Sequence, residues 1–189
     1  MVIYIHGFGG SGKGVKASLF REHFKQKGVK FLAPSLSYTP TLAVSTLEEI
    51  IQNCNNNNIK LIGSSLGGFY AIYLANKYNL KAVLINPSTN PMQTLGKIVK
   101  EQNQRALNFF DLSYFDFNLN HIYMLKNYYT KDIKKELFLL MLQKDDDVID
   151  YTIAKDKFSG AKMIIDSGGG HSFENIQTYF NQIDEFLGV

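Results

Sequence analysis

The stretch Ile59-Lys60-Leu61-Ile62-Gly63-Ser64-Ser65-Leu66-Gly67-Gly68-Phe69-Tyr70-Ala71-Ile72 decides the fold. Ile59 to Ile62 reads as a short buried strand, and Phe69 to Ala75 as the start of a helix. Between them lies G-x-S-x-G, the pattern of a sharp strand-to-helix turn that holds a serine exposed as a nucleophile. Ser65 alone fits its centre, because Ser64 has Ile62 rather than glycine two residues before it. Glycines at 63 and 67 let neighbouring backbone crowd a strained residue without a Cβ in the way. Glycine- and serine-rich turns also end ordinary strands, so the rest of the chain must supply partners for Ser65.

Outward from this turn, short apolar runs alternate with helical periodicity. Residues 2–5, 30–33, 59–62, 82–85, 137–142 and 162–165 read as strands, and residues 15–27, 42–54 and 173–187 as amphipathic helices. Apolar strands spaced by helices imply an α/β fold: a sheet of about six mainly parallel strands, covered by helices on both faces. Ligands of such sheets bind beyond the carboxyl ends of the strands, where the strand order reverses. Residues 91–135 break the rhythm. They show no obvious strand, carry many aromatic residues, and read as a helical, cap-like insertion that either lines a pocket or packs on the sheet.

At 189 residues the chain is expected to form a single domain over 1–189. Its net charge of +3 is spread along the chain, so neither nucleic acid nor a membrane is expected as a partner. Cys54 is the only cysteine, which excludes an internal disulfide and suits a cytoplasmic location. No run approaches the roughly 18–20 apolar residues of a membrane span, and the N-terminus lacks the pattern of a signal peptide. The polar run Asn55 to Asn58 reads as a helix-terminating loop.

A serine hydroxyl needs a base, and the base needs an orienting carboxylate. His171 is the expected base, since it follows the last strand through Ser167-Gly168-Gly169-Gly170 at the carboxyl edge of the sheet. His23 and His121 lie in helical segments and read as structural. The acid is expected after the strand at 137–142, where Asp145, Asp146 and Asp147 stand together and local physics does not separate them. Asp166 is the second choice, because it lies too close to His171 to wrap back onto the ring. Oxyanion donors are expected from the Leu66 N–H, directly after the serine, and from the Phe8 N–H in the loop after the first strand.

His6-Gly7-Phe8, Gly63-Ser64-Ser65-Leu66-Gly67-Gly68, Asp146-Asp147-Val148-Ile149-Asp150-Tyr151 and Gly169-Gly170-His171-Ser172-Phe173 together resemble a small α/β-hydrolase. More narrowly, they are similar to the bacterial YqiA-type esterases over almost the whole chain. The resemblance implies a minimal α/β-hydrolase sheet and hydrolysis of small acyl esters or thioesters without a metal or organic cofactor. In the family pattern the catalytic aspartate stands two before the valine, which selects Asp146; Asp145 occupies a place where the family often has glycine. His6 would then shape the oxyanion loop.

Two rivals remain. Gly7-Phe8-Gly9-Gly10-Ser11-Gly12-Lys13-Gly14 nearly spells a phosphate-binding loop, with Gly14 where a magnesium-binding Ser or Thr belongs. A milder role for Lys13 is a cationic rim for an anionic substrate. The other rival is a catalytically silent hydrolase fold that binds a protein partner.

Overall fold

The computed structural model describes residues 1–54, 58–101 and 104–189. Residues 55–57, within the expected polar loop, lie outside the described residues. Among the described residues, β1 (Val2–Ile5), β2 (Phe31–Leu32), β3 (Lys60–Ser64), β4 (Ala82–Ile85), β7 (Phe138–Gln143) and β8 (Lys162–Asp166) form one sheet in the order β2-β1-β3-β4-β7-β8. Every pairing in it is parallel. β1, β3, β4 and β7 are buried along nearly their whole length because both their faces are covered.

Alternation along each strand splits the core in two. Val2, Tyr4, Ile62, Val83 and Met141 meet Phe20 and Phe24 of α1 (Val15–Gln26) and Ile183 and Phe186 of α7 (Phe180–Leu187). Ile3, Ile5, Leu61, Leu84 and Leu140 face the other way, onto α2 (Pro40–Asn53), α3 (Leu66–Tyr78) and α6 (Tyr151–Lys157). Each fully buried Leu, Ile or Phe side chain contributes about 1.5–3 kcal/mol relative to exposure, so the two layers together supply the driving force for the sandwich.

Three details differ from the sequence reading. The insertion is helical at its two ends, α4 (Pro91–Glu101) and α5 (Leu119–Lys126), but between them runs an antiparallel hairpin of β5 (Arg105–Leu107) and β6 (Tyr114–Asp116). Three residues per strand are too few to show alternation, and the turn is held by side chains instead: Asn108 Oδ1 accepts the Phe110 N–H and Asp111 Oδ1 accepts the Ser113 N–H. The last helix begins only at Phe180, after a 3₁₀ turn at Ile176–Tyr179, because Phe173 (φ 52°) and Asn175 (φ 56°) take left-handed backbone that no helix can pass through. The short helix α6 carries too little periodicity to be read, and Asp150 caps it by accepting the Thr152 N–H.

Parallel strands in register bring the ends of β1, β3, β4, β7 and β8 to one edge. The order reverses between β1 and β3, since β2 lies on one side of β1 and β3 on the other. The crevice at that reversal opens between the loop after β1 and the turn after β3.

Candidate active site

Ser65 sits at this turn with φ 54° and ψ −120°, a conformation that costs a non-glycine residue about 1–3 kcal/mol. The surroundings over-determine it. Its N–H donates to the Ile85 carbonyl, and its own carbonyl accepts from Gly68 and Ser88. Gly67 is required by close approach: a Cβ there would lie 2.1 Å from the Ile5 carbonyl oxygen. Ser64, by contrast, is the last residue of β3 and is 3% exposed.

The structure brings Ser65, His171 and Asp146 together. His171 Nε2 lies 2.9 Å from Ser65 Oγ, and Nδ1 lies 3.0 and 2.9 Å from the two Asp146 oxygens. An ionised carboxylate only accepts, so Nδ1–H donates to Asp146 and leaves Nε2 free to accept the serine proton. Asp146 Oδ1 also accepts the N–H groups of Val148 and Ile149 at 2.9 and 2.8 Å. Burial by itself would raise this carboxyl; the bonds from His171 and those two amides outweigh it and hold Asp146 below its ordinary 3.8. Asp145 and Asp147 are exposed, and Asp166 stays at the end of β8.

The remaining histidines are bonded elsewhere. His23 Nε2 meets Asp184, pinning α1 to α7, and His121 closes a capping box at the start of α5 by accepting the Asn118 N–H. His6 is fixed as the Nδ1–H tautomer, because Nε2 accepts the Leu36 N–H at 3.0 Å while Nδ1 donates to the Gly7 carbonyl at 2.8 Å. Burial lowers its pKa, so the ring is neutral and braces the loop rather than acting as a base.

That brace orients the expected oxyanion donor. The Gly7 carbonyl accepts from both His6 Nδ1 and the Gly10 N–H. In a trans peptide the carbonyl and the next N–H point opposite ways, which turns the Phe8 N–H away from this pair. Among the described residues the Phe8 N–H has no acceptor, and Phe8 borders the crevice. Gly7 itself is pressed on Ser65, since a Cβ there would lie 3.1 Å from Ser65 Cβ. Leu66 is the first residue of α3, a position whose N–H has no partner within the helix.

Three further residues, unread in the sequence, hold the backbone around His171. Asn86, at the end of β4 and 2% exposed, donates through Nδ2 to the carbonyls of Gly170 and His171 and accepts the Gln143 N–H. Gln143, at the end of β7 and equally buried, exchanges two bonds with the backbone of Glu174. Gly169 (φ 70°) has no alternative there, because a Cβ would sit 2.2 Å from the Gln143 amide. Lys16, on the first turn of α1, donates its amine to the Ser172 carbonyl. Burial pushes that amine down to about 8, against an upward pull from Asp146. A polar residue directly after an apolar strand was the one available signal for Asn86 and Gln143.

The phosphate-loop rival finds little support. The amides of Gly10, Gly12, Lys13 and Gly14 donate to Gly7 O, Ser35 Oγ, Ser11 Oγ and Ser11 O respectively. A phosphate would find those donors already engaged. Lys13 is exposed on the rim of the crevice. Among the described residues no cluster of His, Cys, Asp and Glu is arranged to hold a metal ion, and no helix is long and apolar enough to cross a membrane.

The family model for UPF0227, described as an uncharacterised protein family, matches residues 1–188. The chain belongs to the UPF0227 family. A UPF0227 protein of Serratia proteamaculans is 22% identical over 191 residues, covering 98% of each chain. Solved α/β hydrolases share this chain's fold, as the motif resemblance implied. Mouse alpha/beta hydrolase domain-containing protein 10 superposes with a TM-score of 0.77 at 16% identity, over 99% of this chain and 89% of its own. Est1E from Butyrivibrio proteoclasticus, solved with ferulic acid bound, superposes with a TM-score of 0.75 at 15% identity, over 98% of this chain and 87% of its own.

Proposed function

We propose that this UPF0227 protein is a serine hydrolase that cleaves carboxylic esters or thioesters through an acyl-enzyme. The observation that carries the proposal is the unbroken Ser65–His171–Asp146 relay on a strained serine, in the crevice where the strand order reverses. Ser65 Oγ attacks the acyl carbonyl as His171 Nε2 takes its proton, and the carbonyl oxygen becomes an oxyanion that accepts from the Phe8 and Leu66 N–H groups. The tetrahedral species collapses: the bond to the leaving oxygen or sulfur breaks, and His171 returns the proton to it. Water, deprotonated by His171, then attacks the acyl-enzyme and releases the acid and free Ser65. Asp146 remains ionised throughout and stabilises the imidazolium. The crevice, about 1200 Å³, is lined by apolar and polar groups in combination, including Phe109, Phe110 and Lys13. That suits a small acyl ester or thioester, and the ferulic acid held by Est1E is the class of product such a reaction releases. No step calls for a metal or organic cofactor, and a cytoplasmic location suits the single unpaired cysteine.

The test is reaction with a fluorophosphonate probe followed by peptide mass spectrometry. An adduct on Ser65, absent from His171→Ala, is expected; a wild-type protein that remains unlabelled while folded overturns the proposal.

A further inference from the structure

The loop after β1 is clamped from two sides. His6 and Gly10 hold the Gly7 carbonyl from the sheet side. On the other side lie the β5–β6 hairpin of the insertion and Phe117, the residue directly after it. The Phe8 ring meets Phe117 edge-on at 4.7 Å and Phe115 at 5.5 Å between centroids. One residue later, the Gly9 carbonyl accepts the Phe109 N–H at 2.8 Å. Gly9 (φ 63°) lies so close to the hairpin that a Cβ would stand 2.4 Å from the Leu107 carbonyl oxygen.

The hairpin is itself anchored. Phe115 stacks on Tyr38, with centroids 3.5 Å apart, and the Tyr38 hydroxyl accepts from Asn108. Phe117 is 1% exposed and lies against His121. Two consecutive residues of the loop, Phe8 and Gly9, are therefore fastened to a part of the chain that contributes nothing to the sheet. An oxyanion donor is effective only when it is held in place before charge develops, and an error of about an ångström forfeits much of its effect. Hydrogen bonds to the Gly7 carbonyl set the tilt of the Gly7–Phe8 peptide, and its distance from Ser65 is fixed jointly by the close approach of Gly7 to Ser65 and by what seats the Phe8 side chain.

We propose that the β5–β6 hairpin is a positioning element of the active site, with Phe115, Phe117 and the Phe109 N–H seating the loop that carries the Phe8 oxyanion donor. This rests on the serine hydrolase reading. The insertion then completes the oxyanion hole as well as bordering the crevice.

The experiment compares wild type, Phe117→Ala, Phe117→Leu and Gly9→Ala, all full length and checked for folding by thermal melting, on a p-nitrophenyl ester and a trifluoromethyl ketone inhibitor. Phe117→Ala is expected to lower kcat about tenfold or more, given that removing an oxyanion donor outright costs about 10²–10³, with KM changed less than about threefold. Affinity for the ketone, whose serine adduct carries an oxyanion, should fall by the same factor. The acid limb of kcat/KM should not move, and Phe117→Leu should recover most of the loss. Should Phe117→Ala fail to fold, Gly9→Ala tests the same seating from the backbone side. Folded variants that keep wild-type kcat and ketone affinity overturn the inference, and so does a loss that travels with a shifted acid limb. A wild type that gives no Ser65 phosphonylation instead overturns the hydrolase reading beneath it.

Discussion

The two halves of the candidate site are held by different physics. The base side hangs from the sheet by directional polar bonds: Asn86 and Gln143, both buried, tie the strand ends to the backbone on either side of His171. The oxyanion side rests against the insertion by aromatic packing, with one ring brace from His6 and one backbone bond from Phe109. Hydrogen bonds specify orientation, which a proton-transferring imidazole requires; packing specifies position, which a backbone donor requires. The sheet-borne half can be rearranged only by leaving buried polar groups unpaired, whereas the packed half can be retuned by changes in side-chain volume.

Four experiments would break or sharpen this contrast. The largest effect is expected at the relay itself, where Ser65→Ala should abolish ester turnover and Asp146→Asn should lower kcat by about 10⁴ with binding preserved; near-wild-type turnover in either would dissolve the site. Next, Asn86→Asp keeps the acceptor for the Gln143 N–H but removes the donor to Gly170 and His171. It should cost about 10²-fold in kcat, the scale of an ångström misplacement, and should shift the acid limb that Phe117→Ala leaves in place. If the two variants give the same pH profile, the halves are not independent.

Acid stability should separate the halves again. His6 and Asp146 both have folded pKa values below their unfolded ones, so both stabilise the fold at higher pH and lose that contribution as pH falls. The loss from His6 begins near its ordinary 6.5 and continues through its lower folded value; that from Asp146 begins near 3.8. Denaturant titrations of His6→Asn should lack the first decline and keep the second. The smallest effect is expected at Lys16. Its amine loses charge near pH 8 and with it part of its hold on the Ser172 carbonyl. An alkaline fall in kcat/KM of about two- to fivefold, the scale of a partly exposed charged contact, should disappear in Lys16→Met.

The Ser65 turn was legible because its signals are local: the apolar run, the glycines and the following helix all lie within fifteen residues. His171 was legible because the alternation of strands and helices brings its loop to the same sheet edge. Asp146 was not separable from its neighbours on local grounds, and a family resemblance selected it. In the structure the reason is visible: only its carboxylate turns inward to accept from Val148, Ile149 and His171. Asn86 and Gln143 escaped notice because the groups they hold lie 31 to 85 residues away. The hairpin escaped because its strands are stabilised by Tyr38 and Phe8, far earlier in the chain, rather than by their own pattern.

By itself, then, the sequence determined the layered α/β architecture, the strained turn at Ser65 and the loop that carries His171 to the same sheet edge, since periodicity and glycine placement act over a few residues and each strand run carries its own signal. Tertiary structure supplied the physical reason that Asp146, and not its neighbours, faces His171, and it alone decided which buried amides hold the His171 loop and how the insertion packs on the loop after β1. Those choices depend on distances between segments that meet only once the sheet has formed, and no local pattern encodes a distance of that kind.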